Sequence, residues 1–170
     1  MNIGRNDIDW RNLSHDEIDR IIAERIEADD RRIEASGGKK PKRVGYILER
    51  IAEINNLREA DREAQDGKVK KNRFIRRHNL HPEEDLRALQ LMILTLDFPA
   101  PDYSVMKVRS DAGKVRDIVK QKYFPWRILH HAIMRVIGED IYKSLIYDTS
   151  ACIKAVSYTH LRAHETLANL

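Results

Sequence analysis

Cysteine is nearly absent from this sequence. Cys152 is the only one in 170 residues, which excludes an intrachain disulfide and a cysteine-rich zinc site and suits a reducing, cytoplasmic compartment. Long apolar runs are missing as well: no window approaches the roughly 20 apolar residues of a membrane-spanning helix. The opening residues, with Arg5, Asp7 and Asp9, hold no apolar stretch of signal-peptide length, so a soluble, non-secreted chain without a membrane partner is expected. No internal repeat is present. His130, His131 and Asp148 do not assemble into a nucleophile, base and orienting group, which argues against an independent enzyme built on them.

Charged residues make up 34% of the chain against 42% hydrophobic, enough Ile, Leu and Val to fold despite many solvated faces, so global disorder is excluded. The length suits one domain, or one domain with a long helical extension. Net charge is only +4, but the isoelectric point is near 9.2 and the positive charge is clustered, as contact with a polyanion requires.

Ser14-His15-Asp16-Glu17 has capping-box spacing, and Ile18, Ile22, Ile26 and Ile33 continue at helical intervals until Gly37-Gly38. Beyond the basic linker 39–43, Val44, Ile47, Leu48, Ile51, Ile54 and Leu57 predict a second helix, with Gly67 as a later stop. Lys68, Lys70, Lys71, Arg73, Arg76 and Arg77 then place six positive charges in ten residues around Phe74 and Ile75. These six are the candidate nucleic-acid contacts, gripping phosphates while Phe74 stacks on a base. Pro82-Glu83-Glu84 opens a third helix through Leu86, Leu89, Met92 and Ile93 to about Leu96, where Pro99 and Pro101 follow. Alternation in Tyr103, Val105 and Val108, then Val115, Ile118 and Val119, predicts a β-hairpin turning at 110–113, with a glycine for positive φ. Pro125 opens a last helix carrying Ile128, Leu129, Ile133 and Val136, which Gly138 ends or interrupts. The fold class is mainly α with one β-hairpin.

Lys114-Val115-Arg116, Phe124-Pro125-Trp126-Arg127, His130-His131-Ala132 and Asp148-Thr149-Ser150-Ala151-Cys152-Ile153-Lys154 follow one another within 103–154. In that order they resemble the fingers region of bacterial reverse transcriptases, the group of retron, group II intron and diversity-generating-element enzymes. The pattern departs at Gln121-Lys122, where the family often has Leu-Pro, at Glu139, where it has proline, and at Ser150, where it has an aromatic residue. The resemblance therefore reaches the group and not a subtype. It implies an RNA template and a nucleic-acid primer as partners, with Lys114, Arg116 and Arg127 near the incoming triphosphate. It also implies that Mg2+ is held by carboxylates of a palm domain, which would belong to the same polypeptide in the complete parent enzyme. No counterpart of the aromatic-x-Asp-Asp palm hairpin is present, so the expectation is an inactive N-terminal portion of an RNA-directed DNA polymerase that binds no metal itself. The alternative is a small helical RNA-binding or interaction protein without catalysis.

The tail Val156-Ser157-Tyr158-Thr159-His160-Leu161-Arg162-Ala163-His164-Glu165-Thr166 resembles one reading frame of a transposase-type sequencing adapter. The resulting division is a helical basic extension over 1–98, partial fingers over 99–155 and a non-native tail over 156–170. Four features are set aside. Ala28-Asp29-Asp30 mimics a polymerase motif but sits in a helical pattern among Glu27, Arg31 and Arg32, where ion pairing is the expectation. His130 and His131 point about 100° apart on a helix. His78 and His81 lack a third ligand and suit a turn, and His160 and His164 belong to the adapter-like tail.

Overall fold

The computed structural model describes residues 8–36, 45–67, 72–101, 103–109 and 113–144. The architecture is mainly helical with one two-stranded antiparallel hairpin, as the periodicities predict. The chain divides into two compact units, 1–136 and 137–170.

The first unit begins with a short 3-10 turn, Trp10–Asn12, and helix α1, His15–Ala35. Ser14 closes the predicted capping box: its hydroxyl accepts from the Glu17 N–H, and its own N–H donates to the Glu17 carboxylate at 2.8 Å. Ile18 and Ile22 face the core. The second predicted helix is in fact two, α2 (Ile47–Ala52) and α3 (Ile54–Gln65), separated by Glu53 in extended conformation at φ −56°, ψ 128°. The break is stable because side chains replace the lost helical donors. Asn56 Nδ2 donates to the Ile51 carbonyl at 3.1 Å and Gln90 Nε2 to that of Ala52 at 3.0 Å. Hydrophobic periodicity continues across Glu53, so only these amide side chains distinguish a break from a longer helix.

A further short helix, α4 (Arg73–His78), forms where the sequence reading expected only a basic segment. Asn72 starts it by accepting from the Phe74 N–H at 2.9 Å. Helix α5, Pro82–Thr95, begins with proline and three acids at its positive end and stops at Leu96, which is left-handed at φ 55°. It packs against α2 and α3, burying Leu86, Leu89 and Ile93. The buried Gln90 amide also donates to Asp19 of α1 at 3.0 Å, joining α1, α2 and α5.

Strands β1 (Tyr103–Arg109) and β2 (Val115–Gln121) pair in register, with Val105 opposite Val119, Lys107 opposite Asp117 and Val108 opposite Arg116. Gly113 takes the positive φ of 74° that the turn calls for; 110–112 lie outside the described residues. An irregular turn, Tyr123–Arg127, follows, with a cis peptide bond between Phe124 and Pro125. Helix α6, Ile128–Ser144, runs on through Gly138 instead of ending there, since one helical glycine costs only about 1 kcal/mol. In the second unit Glu139 and Lys143 form an i,i+4 pair at 3.3 Å.

The resemblance to fingers without their palm implies exposed apolar surface around Ile128, Ile133, Val136 and Leu145. Ile128 is instead fully buried, and Ile133 and Val136 pack against the core; Leu145 lies outside the described residues. Six apolar side chains of the hairpin, Tyr103, Val105, Met106, Val115, Ile118 and Val119, are open, as are Leu80 and Leu96 at the two ends of α5. No described helix is long and apolar enough to cross a membrane.

The acidic doublet in α1 is occupied by ion pairs. Buried Asp29 meets Arg32 at 2.5 Å and Arg50 at 3.3 Å, and Arg50 also reaches Asp30 at 2.5 Å. The Gly45 N–H donates to Asp29 at 3.2 Å. A Cβ at position 45 would lie 2.7 Å from an Asp29 oxygen, so any other residue there forces the ion-paired carboxylate to shift.

Candidate nucleic-acid interface

Ile75 and His78, three residues apart, turn one face of α4 into the core. Arg73, Phe74, Arg76 and Arg77 are thereby left toward solvent. The Arg73 guanidinium lies over the Phe74 ring, 4.9 Å from its centroid. Opposite this helix stand the end of β2 and the turn into α6. Between them runs a groove of about 740 Å³ whose basic lining is Arg73, Lys120, Lys122 and Arg127, with Phe74 and His130 beside them. Among the described residues no Asp or Glu lines it. Four cations gathered in one groove concentrate positive potential where low-dielectric walls focus it.

Both walls are fixed to one side chain, Asp61 of α3. The Tyr123 hydroxyl donates to the Asp61 carboxylate and approaches its backbone carbonyl at 3.1 Å, anchoring the β2–α6 turn. His78 of α4 places Nε2 at 3.2 Å from Asp61 and Nδ1 at 2.6 Å from Asp85 of α5. The Nε2 contact is off the ring N–H axis, so it is an ion pair and not a hydrogen bond. Gln65 donates to the other Asp61 oxygen at 2.8 Å.

The charges of this cluster follow from its contacts. Burial pulls the His78 imidazole down, but Asp61 and Asp85 outweigh it and hold it above the ordinary histidine value. Burial pushes the Asp61 carboxyl up, and His78, Tyr123 and Gln65 more than offset this, leaving it below the usual aspartate value. Burial beside that carboxylate raises the Tyr123 phenol far above its normal range, so it remains a donor.

The candidate residues are dispersed by this geometry. Arg73 and Arg127 share the groove. Arg77 lines a neighbouring depression, and Arg76 is exposed on α4. Lys114 and Arg116 lie at the tip of the hairpin; Arg116 is three residues, about 10 Å along the strand, from Val119 at the groove. Lys68, Lys70 and Lys71 lie outside the described residues. Lys120 at the end of β2 and the extended Lys122 just beyond it were missed, although a spacing of two in extended chain puts them on one side. Nor was His78 expected in a buried charge cluster, since a turn was assigned to it. Its spacing from Ile75 is the signal that places it inward. Among the described residues the groove offers no carboxylate to Mg2+, and no three metal-ligating side chains gather.

Comparison with protein families, with curated proteins and with solved structures finds no match.

Proposed function

We propose that this chain is the nucleic-acid-holding N-terminal portion of a cytoplasmic RNA-directed DNA polymerase and that its groove grips the backbone of single-stranded RNA. The observation that carries this reading is the basic lining of Arg73, Lys120, Lys122 and Arg127, with no acid beside them among the described residues, on two walls tied to Asp61. Phosphates require that sign of charge, and an exposed aromatic ring beside them suits bases. The ordered motifs resembling reverse-transcriptase fingers supply the enzymatic context. In that context Lys114 and Arg116 hold the triphosphate or template at the hairpin tip, and carboxylates and Mg2+ come from a palm of the same polypeptide.

The test is RNA affinity against salt. Log affinity should fall linearly with log salt at about −0.7 per phosphate contacted, and changing Arg73, Lys120 and Arg127 together to Ala should flatten the slope by about 2. An unchanged slope would move the grip elsewhere. The second reading, a small helical RNA-binding protein without catalysis, needs only the basic groove and its exposed aromatic ring. Native genomic DNA beyond the codon for Lys154 separates the two: an in-frame aromatic-x-Asp-Asp hairpin supports the polymerase, and a stop codon supports the binding protein.

A further inference from the structure

We propose that a depression adjoining the basic groove captures one nucleobase of the bound RNA, with Phe74 as the wall shared by backbone track and base pocket. This rests on the nucleic-acid reading of the groove and extends it from phosphates to bases. The depression has a volume of about 280 Å³, and Phe74, Tyr123 and Phe124 form its aromatic surface with Arg77, Lys122 and Asp85 around them. That size lies just below the range of about 300–1,000 Å³ for small-molecule pockets, which suits one planar ring system and excludes a helix or strand of a protein partner.

Phe74, Lys122 and Tyr123 line both the groove and the depression. A strand whose phosphates pass Arg73, Lys120 and Arg127 therefore brings its next base to the Phe74 ring. That ring is 38% exposed, on a helix whose core contacts come from Ile75 and His78. Burial in the core does not explain an aromatic residue there, whereas a stacking surface does.

The inner surface is rigid. The His78 ring stacks on Phe124 at 6.2 Å and 12° and meets Tyr123 at 5.4 Å, while Asp85 fixes it at 2.6 Å. Asp85 keeps 32% of its side chain exposed. A carboxylate accepts several hydrogen bonds, so beyond the one to His78 it offers an acceptor to exocyclic amino groups. Adenine, cytosine and guanine carry such groups and uracil does not.

The experiment uses the full chain and a short oligouridylate carrying one central 2-aminopurine ribonucleotide. Binding should quench the fluorophore by stacking, and replacing that base with an abasic ribose should weaken binding about tenfold. Phe74→Ala should abolish the quench and weaken the intact probe by the same factor, while Phe74→Tyr restores both. If Phe74→Ala also lowers the melting temperature, the abasic comparison on the unaltered protein decides. Salt-dependent binding without quenching, and with equal affinity for intact and abasic probes, would overturn the base pocket and leave the groove standing. No binding of either probe would overturn both.

Discussion

Leu57, Ala60, Ile75 and Leu89 in the helices have no exposed surface, whereas Tyr103, Val105 and Val119 on the hairpin leave more than half of theirs open. Similar residue types thus stand in opposite environments within one unit. The helices are held by burial at about 25 cal/mol per Å², together with amide bridges such as Gln90 between α1, α2 and α5. The hairpin has only its ladder, its cross-strand pairs and its turn, and such ribbons are marginal alone. Alternating apolar residues specify strand register without guaranteeing that either face is covered. The groove lies where the two regions meet, so its α4 wall inherits the stability of the helices directly and its β2 wall only through the Tyr123 anchor on Asp61.

The largest effect should come from the helices. Leu57→Ala should cost about 4 kcal/mol, within the range for fully buried leucine, read as a shift of the denaturation midpoint. A loss no greater than that of a hairpin substitution would break the contrast.

His78→Ala should cost about 3 kcal/mol by leaving Asp61 without its buried counter-charge. It should also change the pH dependence. His78 is raised above its unfolded value near 6.5, so its contribution is complete below that pH and disappears as pH rises through the higher folded value. Asp61 is lowered from 3.8, so its contribution is present above that pH and is lost as pH falls through the lower folded value. Stability from this cluster should therefore be greatest between about 3.8 and 6.5. Melting temperature against pH should decline above that window in the native protein and flatten there in the variant.

Smallest are the hairpin effects. Gly113→Ala, at φ 74°, should cost about 1 kcal/mol locally, visible as faster amide exchange in β1 and β2 with little change in overall melting. Val105→Ala should stay within about 0.5 kcal/mol. A drop in global melting from either would show that the hairpin is coupled to the helices.

Local chemistry made much of this fold legible. The Ser14–Glu17 capping box, Pro82 with its acids and Gly113 each act within a few residues, where sequence spacing and spatial spacing coincide. The break at Glu53 depends on Gln90, 37 positions away from it in sequence, and no local pattern carries that information. The site was legible in part for the same reason. Arg73 and Arg127 were singled out by charge and motif, whereas the meeting of Lys120 and Lys122 with α4 depends on Asp61 binding Tyr123 and His78 together. Long-range polar contacts leave little trace in hydrophobic periodicity.

The close approach of Gly45 to Asp29 constrains how this sequence can change over generations. Any side chain at 45 pushes on the carboxylate, so replacement there either displaces Asp29 from its ion pairs or follows its shortening. Shortening Asp29 first takes a partner from Arg32 and Arg50 at once. Neither single step is neutral, and the two positions behave as one heritable unit, each conditional on the other.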